Sequence, residues 1–402
     1  MRSTLHTRTS AASRQSLPER QSLPKRSSAP ELGPRIVFLS GGSALRAVSR
    51  VLKQYTHNSA HLITTFDSGG SSAQLRRAFA MPAIGDLRNR IVALADETVH
   101  GNPHIYRLFT HRLAVDAARS ALSRELCDLI AGKHALAINI PEPLHGIVRE
   151  HLRIFSEHMT EDFDLRGANV GNLLLAGAFL GQSRDLELAV ATFSRLLAVR
   201  GAVHPIAEAD LHLCAELADQ SRVIGQHRLT GKQETPISSR VKALTLIRGL
   251  HDETPATTSL AEPARRSIEA ADLICFPMGS FYSSIVANLL PSGVGRAVAA
   301  APCPRVYVPN TGYDPEQHGM SLVDSIGELL AYVRADAGGD VPISSVVNWL
   351  LLDEHTANYG MKIDETELER MGICVLRSNL VTAASHPHVD PQRLTQELLA
   401  LT

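Results

Sequence analysis

The chain has 402 residues, formal net charge −1, 44% hydrophobic and 20% charged residues, the balance of an ordinary globular protein with one large or two medium domains. Near-neutral charge and only 4% aromatics argue against a nucleic-acid partner and against electrostatic attachment to an anionic membrane. No apolar run approaches bilayer-spanning length, and five scattered cysteines without a CxxC pair suit a reducing cytoplasm rather than a disulfide framework or a structural zinc site.

Residues 1–34 are rich in Ser, Pro and Arg and repeat QSLP, so a disordered tail is expected there. From residue 35 to 402 strand and helix patterns alternate. "RIVFLS" (35–40) reads as a buried parallel strand, followed by a glycine turn and the amphipathic "ALRAVSRVLKQY". "HLITTFD" reads as a second strand, ending at Asp67 and followed by another glycine-serine turn. "LRNRIVALADE" is helical, and residues 97 to about 165 carry helical periodicity throughout, a helical insertion. "GNLLLAGAFL" and "DLELAVATFSRLLAV" extend the helices. Two alternating runs around Ala218–Ser221 predict a β-hairpin. "VKALTLI", "ADLICFP", "RVYVPN", "SVVNWLLLD" and "GICVLRSNLV" read as further strands, and "MGSFYSSIVANLL" as a glycine turn into a helix. Asp390 and Pro391 mark the start of a C-terminal helix. The fold expected is α/β: a Rossmann-like three-layer α/β/α sandwich around a mostly parallel sheet, with a β-hairpin and the helical insertion.

Three turns share one pattern of apolar strand, small polar residues and helix: Gly41-Gly42-Ser43, Gly69-Gly70-Ser71-Ser72 behind Asp67, and Gly279-Ser280. Glycine permits close approach of backbone to ligand, and a helix N-terminus attracts phosphate. Asp67 has a ligand reading, holding Mg²⁺ against a diphosphate or accepting hydrogen bonds from a sugar, and a structural one, capping the next helix or fixing the turn. Asp86, Arg88 and Asn89 open the next helix and can face the same cleft or the surface. Asn169 and Asn172 either cap a helix or read a ring edge. His386, His388, Asp353, His355 and His212 lack metal-ligand spacing, and no P-loop, GxSxG or complete GxGxxG is present, which disfavours NAD.

Taken as an ordered set, "LSGGSALRAV", "FDSGGSSAQLRR", "IGDLRNRIVALAD", "VGNLLLAG", "AVRGAVHPI", "CAELADQSRVIGQ", "ADLICFPMGSFYSSIVANLL" and "RVYVPN" resemble the CofD/YvcK family from about residue 35 to 400. "GDLRN" and "GNLLLAG" resemble the YvcK branch more than the transferase branch. The resemblance implies a Rossmann-like, usually dimeric protein with a nucleotide-type ligand over the glycine loops. For transferase members it implies Mg²⁺-assisted movement of a lactyl-phospho group from a guanosine diphosphate conjugate to a deazaflavin. For YvcK-type gluconeogenesis factors it implies a UDP-sugar-binding regulator. The expectation is a transferase in which Asp67 organises Mg²⁺ and Asn169 and Asn172 orient the acceptor; the alternative is a regulator without turnover. Where the family commonly shows GGTG, paired aspartates and GPGSLYTS, this chain has Gly41-Gly42-Ser43-Ala44, Asp67-Ser68 and Met278 in "FPMGSFYSS". The Asp-to-Ser change removes one possible metal ligand.

Overall fold

The computed structural model describes residues 28–98, 100–231 and 235–402. The strands are β1 (Ile36–Ser40), β2 (Ala60–Ile63), β3 (Ala202–Pro205), β4 (His212–Leu217), β5 (Arg222–Ile224), β6 (Val241–Ile247), β7 (Leu273–Phe276), β8 (Arg305–Tyr307), β9 (Trp349–Asp353) and β10 (Cys374–Ser378). The helices are α1 (Arg46–Leu52), α2 (Gly70–Phe79), α3 (Gly85–Leu94), α4 (Pro103–Thr110), α5 (Arg119–Ile130), α6 (Leu144–His158) and α7 (Val170–Gly181). They continue as α8 (Leu186–Leu196), α9 (Gln226–Leu229), α10 (Glu262–Glu269), α11 (Val294–Ala300), α12 (Leu322–Ala337), α13 (Glu365–Arg370) and α14 (Pro391–Ala400).

Seven strands form one parallel sheet in the order β10-β9-β8-β7-β1-β2-β3. Connections run one way from β1 to β3 and the other way from β7 to β10, so the chain reverses its winding between β1 and β7. That reversal opens a crevice at the carboxyl ends of the two strands, where doubly wound sheets bind ligands. All five residues of β1 are buried. Ile36 and Phe38 pack with Val48 and Leu52 of α1 and Leu394 and Leu398 of α14. Val37 and Leu39 face the opposite core, with α10, α11, α12 and a small antiparallel sheet, β5-β4-β6. A strand buried on both faces has no polar side to alternate with, which is why its sequence reads as a continuous apolar run.

The expected helical insertion is present. Helices α4, α5 and α6 bury one continuous core with α2, α3, α7 and α8. The hairpin is β4 and β5, and "VKALTLI" becomes β6, paired antiparallel with β4 rather than joining the main sheet. Asp390 caps α14 through the backbone N–H groups of Gln392 and Arg393, at 2.9 and 3.0 Å.

Several boundaries differ from expectation. Ladder pairing of β2 stops at Ile63, and Thr64–Asp67 continues as an irregular crossing held by Thr65, whose hydroxyl donates to the Ala207 carbonyl at 2.9 Å. Asp67 therefore stands four residues beyond the strand. β3 lies in "AVRGAVHPI", a segment without alternation, and forms the sheet edge. After β7 the chain forms a π-turn over Phe281–Ile285 and a 3₁₀ turn over Val286–Leu289, not an α-helix. The tail expected over 1–34 lies outside the described residues up to residue 27. Beyond it, Pro30–Leu32 form a 3₁₀ turn tied down by the His57 N–H on the Pro30 carbonyl (2.8 Å) and by the Asn58 side chain on the Gly33 carbonyl (2.7 Å). Among the described residues no helix is long and apolar enough to cross a membrane.

Candidate functional site

The crevice between β1 and β7 is a run of adjoining cavities that share their walls. The innermost, about 120 Å³, lies among Gly41, Gly42, Ser43, Asp67, Asp86 and Gly279. Through Asp67, Asp86 and Gln226 it joins a chamber of about 300 Å³ over Gly69, Gly70, Ser71, Ser72, Arg88 and Arg112, which Asn89 also lines. Through Ser43 and Met278–Ser280 it joins another of about 540 Å³, bordered by Asn310, Tyr313 and His388. All three expected loops and the Asp86–Asn89 turn are thus brought to one place by the winding of the sheet.

The first loop is shaped from beneath. Arg90 is fully buried and donates to the carbonyls of Gly41 (3.1 Å) and Gly42 (3.2 Å), and also to the Ser49 hydroxyl. Burial lowers its pKa to about 10, partly offset by the Asp86 carboxylate, so it remains a cation near neutrality. Leu87, Arg90, Ile91 and Leu94 recur at helical spacing and all have zero exposure. Arg90 is therefore the one charge on the apolar stripe of α3, a signal already present in the sequence as an arginine at a core-facing helical position. Gly41 is required because a Cβ there would lie 2.4 Å from Ser284 Oγ.

The second loop begins with Asp67. Its Oδ1 accepts the Gly69 N–H at 3.0 Å, and its backbone carbonyl accepts from Arg76 at 2.9 Å. The turn-fixing reading is realised, and the same carboxylate also lines the two inner cavities. Helix α2 starts at Gly70 without a side-chain cap, so its first-turn N–H groups, on Gly70, Ser71 and Ser72, remain for an anion.

Arg88 and Arg112 line the same chamber. Burial, then the charges of Arg112 and Arg46, lower the Arg88 pKa to about 10. Among the described residues no ion pair joins Arg46, Arg88 or Arg112 to a carboxylate. The salt-bridge alternative for Arg88 is absent; its Nε donates instead to Asn172 Oδ1 at 3.3 Å. Arg88 and Arg112, on the same wall as Asp67 and Asp86 but in no direct ion pair among the described residues, can take an anion.

Three expectations change. Asn169, 2% exposed, caps α7 and spends its amide on the carbonyls of Thr110 and His111 (3.2 and 3.0 Å). Asn172, 1% exposed, bridges Arg88 to Ser71 Oγ at 3.3 Å. Neither is among the residues lining the two inner cavities, because α7 is buried nearly all round. The turn after β7 is not an open phosphate cradle. Glu316 Oε2 accepts the N–H groups of Tyr282 and Ser283, both at 2.7 Å, and Asp314 Oδ2 accepts that of Phe281 at 2.9 Å. Two buried carboxylates occupy the place an anion would take, while Gly279 and Ser280 still form a wall. Burial and the Asp314 charge push Glu316 up to about 7.

Among the described residues no group of three His, Cys, Asp or Glu side chains could hold a metal ion. Asp67 and Asp86 with the serines of the loops nevertheless form a hard-oxygen set of the kind that holds Mg²⁺ by one or two carboxylates together with substrate phosphates.

A sequence model described as 2-phospho-L-lactate transferase CofD matches residues 36–381. The chain belongs to the CofD family. Within curated proteins it is 31% identical over 378 residues to a provisionally named gluconeogenesis factor of Nostoc sp., covering 91% of this chain and 68% of that one. It is 29% identical over 364 residues to the gluconeogenesis factor of Bacillus subtilis, covering 87% and 92%. A crystal structure of a UPF0052-family protein from Bacillus halodurans superposes with a TM-score of 0.66 at 22% identity, covering 91% of this chain and 99% of that chain, and shares the fold. The CofD-family match thus spans both glycine loops and the α3 turn that meet at the crevice.

Proposed function

We propose that this CofD-family chain binds a nucleoside-diphosphate-linked ligand in the crevice. The diphosphate lies over Gly41–Ser43 and the first turn of α2, and Asp67 and Asp86 hold Mg²⁺ against it. The observation carrying this reading is the uncapped α2 N-terminus beside Arg88 and Arg112, neither of them ion-paired among the described residues, on the same wall as the two carboxylates. Carboxylates alone would repel the phosphates; with the arginines and a divalent cation the charges balance.

The output we favour is a ligand-responsive regulator, since the relatives above carry the name gluconeogenesis factor. Transferase chemistry of the CofD type is the second reading, favoured by Asp67 and Asp86 lining one cavity, where positioning and charge neutralisation are what phospho-group transfer needs.

A melting-temperature panel with UDP-sugars, GDP, GTP, NAD and a deazaflavin, each with and without Mg²⁺, tests both. A Mg²⁺-dependent rise with guanosine nucleotides and the deazaflavin favours the transferase, and turnover is then assayed. A rise with a UDP-sugar alone favours the regulator. No rise with any nucleotide removes the proposal.

A further inference from the structure

His227 has no part in the reading above, yet its ring stands in the wall between two chambers. It borders the 300 Å³ chamber of Arg88 and Arg112 and, with Gly69 and Gly70, a further one of about 620 Å³ lined by Arg76, Arg77, Arg248 and His251. It comes from α9, next to the small sheet, so the antiparallel unit contributes a side chain to a crevice otherwise built from the parallel one.

The ring is fixed by its neighbours. Nδ1 lies 2.8 Å from Ser68 Oγ, and the His227 backbone N–H donates to the same oxygen at 3.3 Å. Ser68 is 4% exposed, so its hydroxyl proton needs an acceptor within the protein. Nδ1 is the acceptor in reach. With the Ser68 hydroxyl as donor to Nδ1, the neutral imidazole carries its proton on Nε2. Gly225, at φ +92°, makes room: a Cβ there would lie 2.8 Å from the ring Cε1 and 2.9 Å from Nδ1. With Nδ1 engaged, Nε2 has no hydrogen-bond partner among the described residues. The Ser68 hydroxyl is thus engaged by His227, through both the ring and the backbone N–H.

We propose that His227 binds the ligand directly, donating its Nε2–H to an anionic phosphate oxygen where the two chambers meet, with Ser68 as the positioning residue that fixes the tautomer. This rests on the diphosphate reading above.

Calorimetric titration of the full chain with inorganic pyrophosphate and Mg²⁺ tests it, beside imidazole ¹⁵N spectra and melting temperatures. Loss of one hydrogen bond to a charged group predicts about tenfold weaker binding in His227→Ala. His227→Gln keeps an N–H donor and is expected to recover most of the affinity. Ser68→Ala is expected to weaken binding about threefold, through a mixed tautomer population visible in the ¹⁵N spectrum. Folded His227→Ala binding within twofold of wild type overturns the inference alone and leaves the diphosphate reading standing. Folded His227→Gln no better than His227→Ala removes the donor role. Wild type that binds neither pyrophosphate nor any nucleoside diphosphate overturns the diphosphate reading, and this inference with it.

Discussion

The Asp86 carboxylate fills the space a side chain at Gly42 would need: a Cβ on residue 42 would lie 1.9 Å from Asp86 Oδ1 and 2.5 Å from its Cγ. The glycine here is a matter of approach, not of backbone angle. Gly42→Ala must push Asp86 aside or lift the loop off Arg90. We expect Mg²⁺-pyrophosphate affinity to fall about tenfold, a misplacement of one ligand group, with a smaller change in melting temperature. Wild-type affinity in a calorimetric titration would show that the contact has no part in binding.

Asp67→Asn separates the two readings of that residue. Asparagine keeps an acceptor for the Gly69 N–H, so the turn and the melting temperature should persist. Only the charge is lost. Binding of UDP-glucose or GDP is expected to weaken strongly in Mg²⁺ and hardly at all in EDTA. Equal weakening in both buffers removes the metal role.

Arg90 is a stability residue as well as a loop former. Arg90→Met removes the donor to the Gly41 and Gly42 carbonyls and leaves a buried and a part-buried acceptor unmatched. The expected loss, on the order of 2–4 kcal/mol, follows from unsatisfied buried groups. Urea unfolding measures it. A loss below about 0.5 kcal/mol, the range of surface substitutions, would contradict the packing described.

Glu316 gives the protein a pH signature. Its pKa rises from 4.5 to about 7 in the folded state. Below the unfolded value both states hold the proton. As pH climbs through the interval the unfolded chain releases it first, so this group's contribution to stability is lost on the way up to the folded value. Glu316→Gln should flatten that part of the stability–pH curve while keeping acceptors for Tyr282 and Ser283. An unchanged slope in denaturant titrations between those pH values would disprove the assignment.

The family, the doubly wound sheet, the hairpin, the helical insertion and the clustering of the glycine loops were legible because each has a local cause. Strands buried on both faces read as apolar runs, helices as 3.6-residue stripes, and turns as glycine and serine. Asp390 and Pro391 announced α14 for the same reason. Exceptions fall where partners are distant in sequence. β3 is defined by pairing with β2, about 140 residues away, since Ala60 opposes Ala202. The segment after β7, expected as a helix and found as a π-turn and a 3₁₀ turn, gave no hint that Glu316, 33 residues on, would take the N–H of Ser283.

The sequence by itself determined what each segment can be, because backbone preference and hydrophobic period act over a few residues. Only the tertiary structure decided what each polar group does. Asn169 became a buried cap, Arg90 a brace under a loop, and His227 a wall of the crevice. A side chain's role is set by burial and by the partner within hydrogen-bond reach, and both come from residues that only the fold brings together.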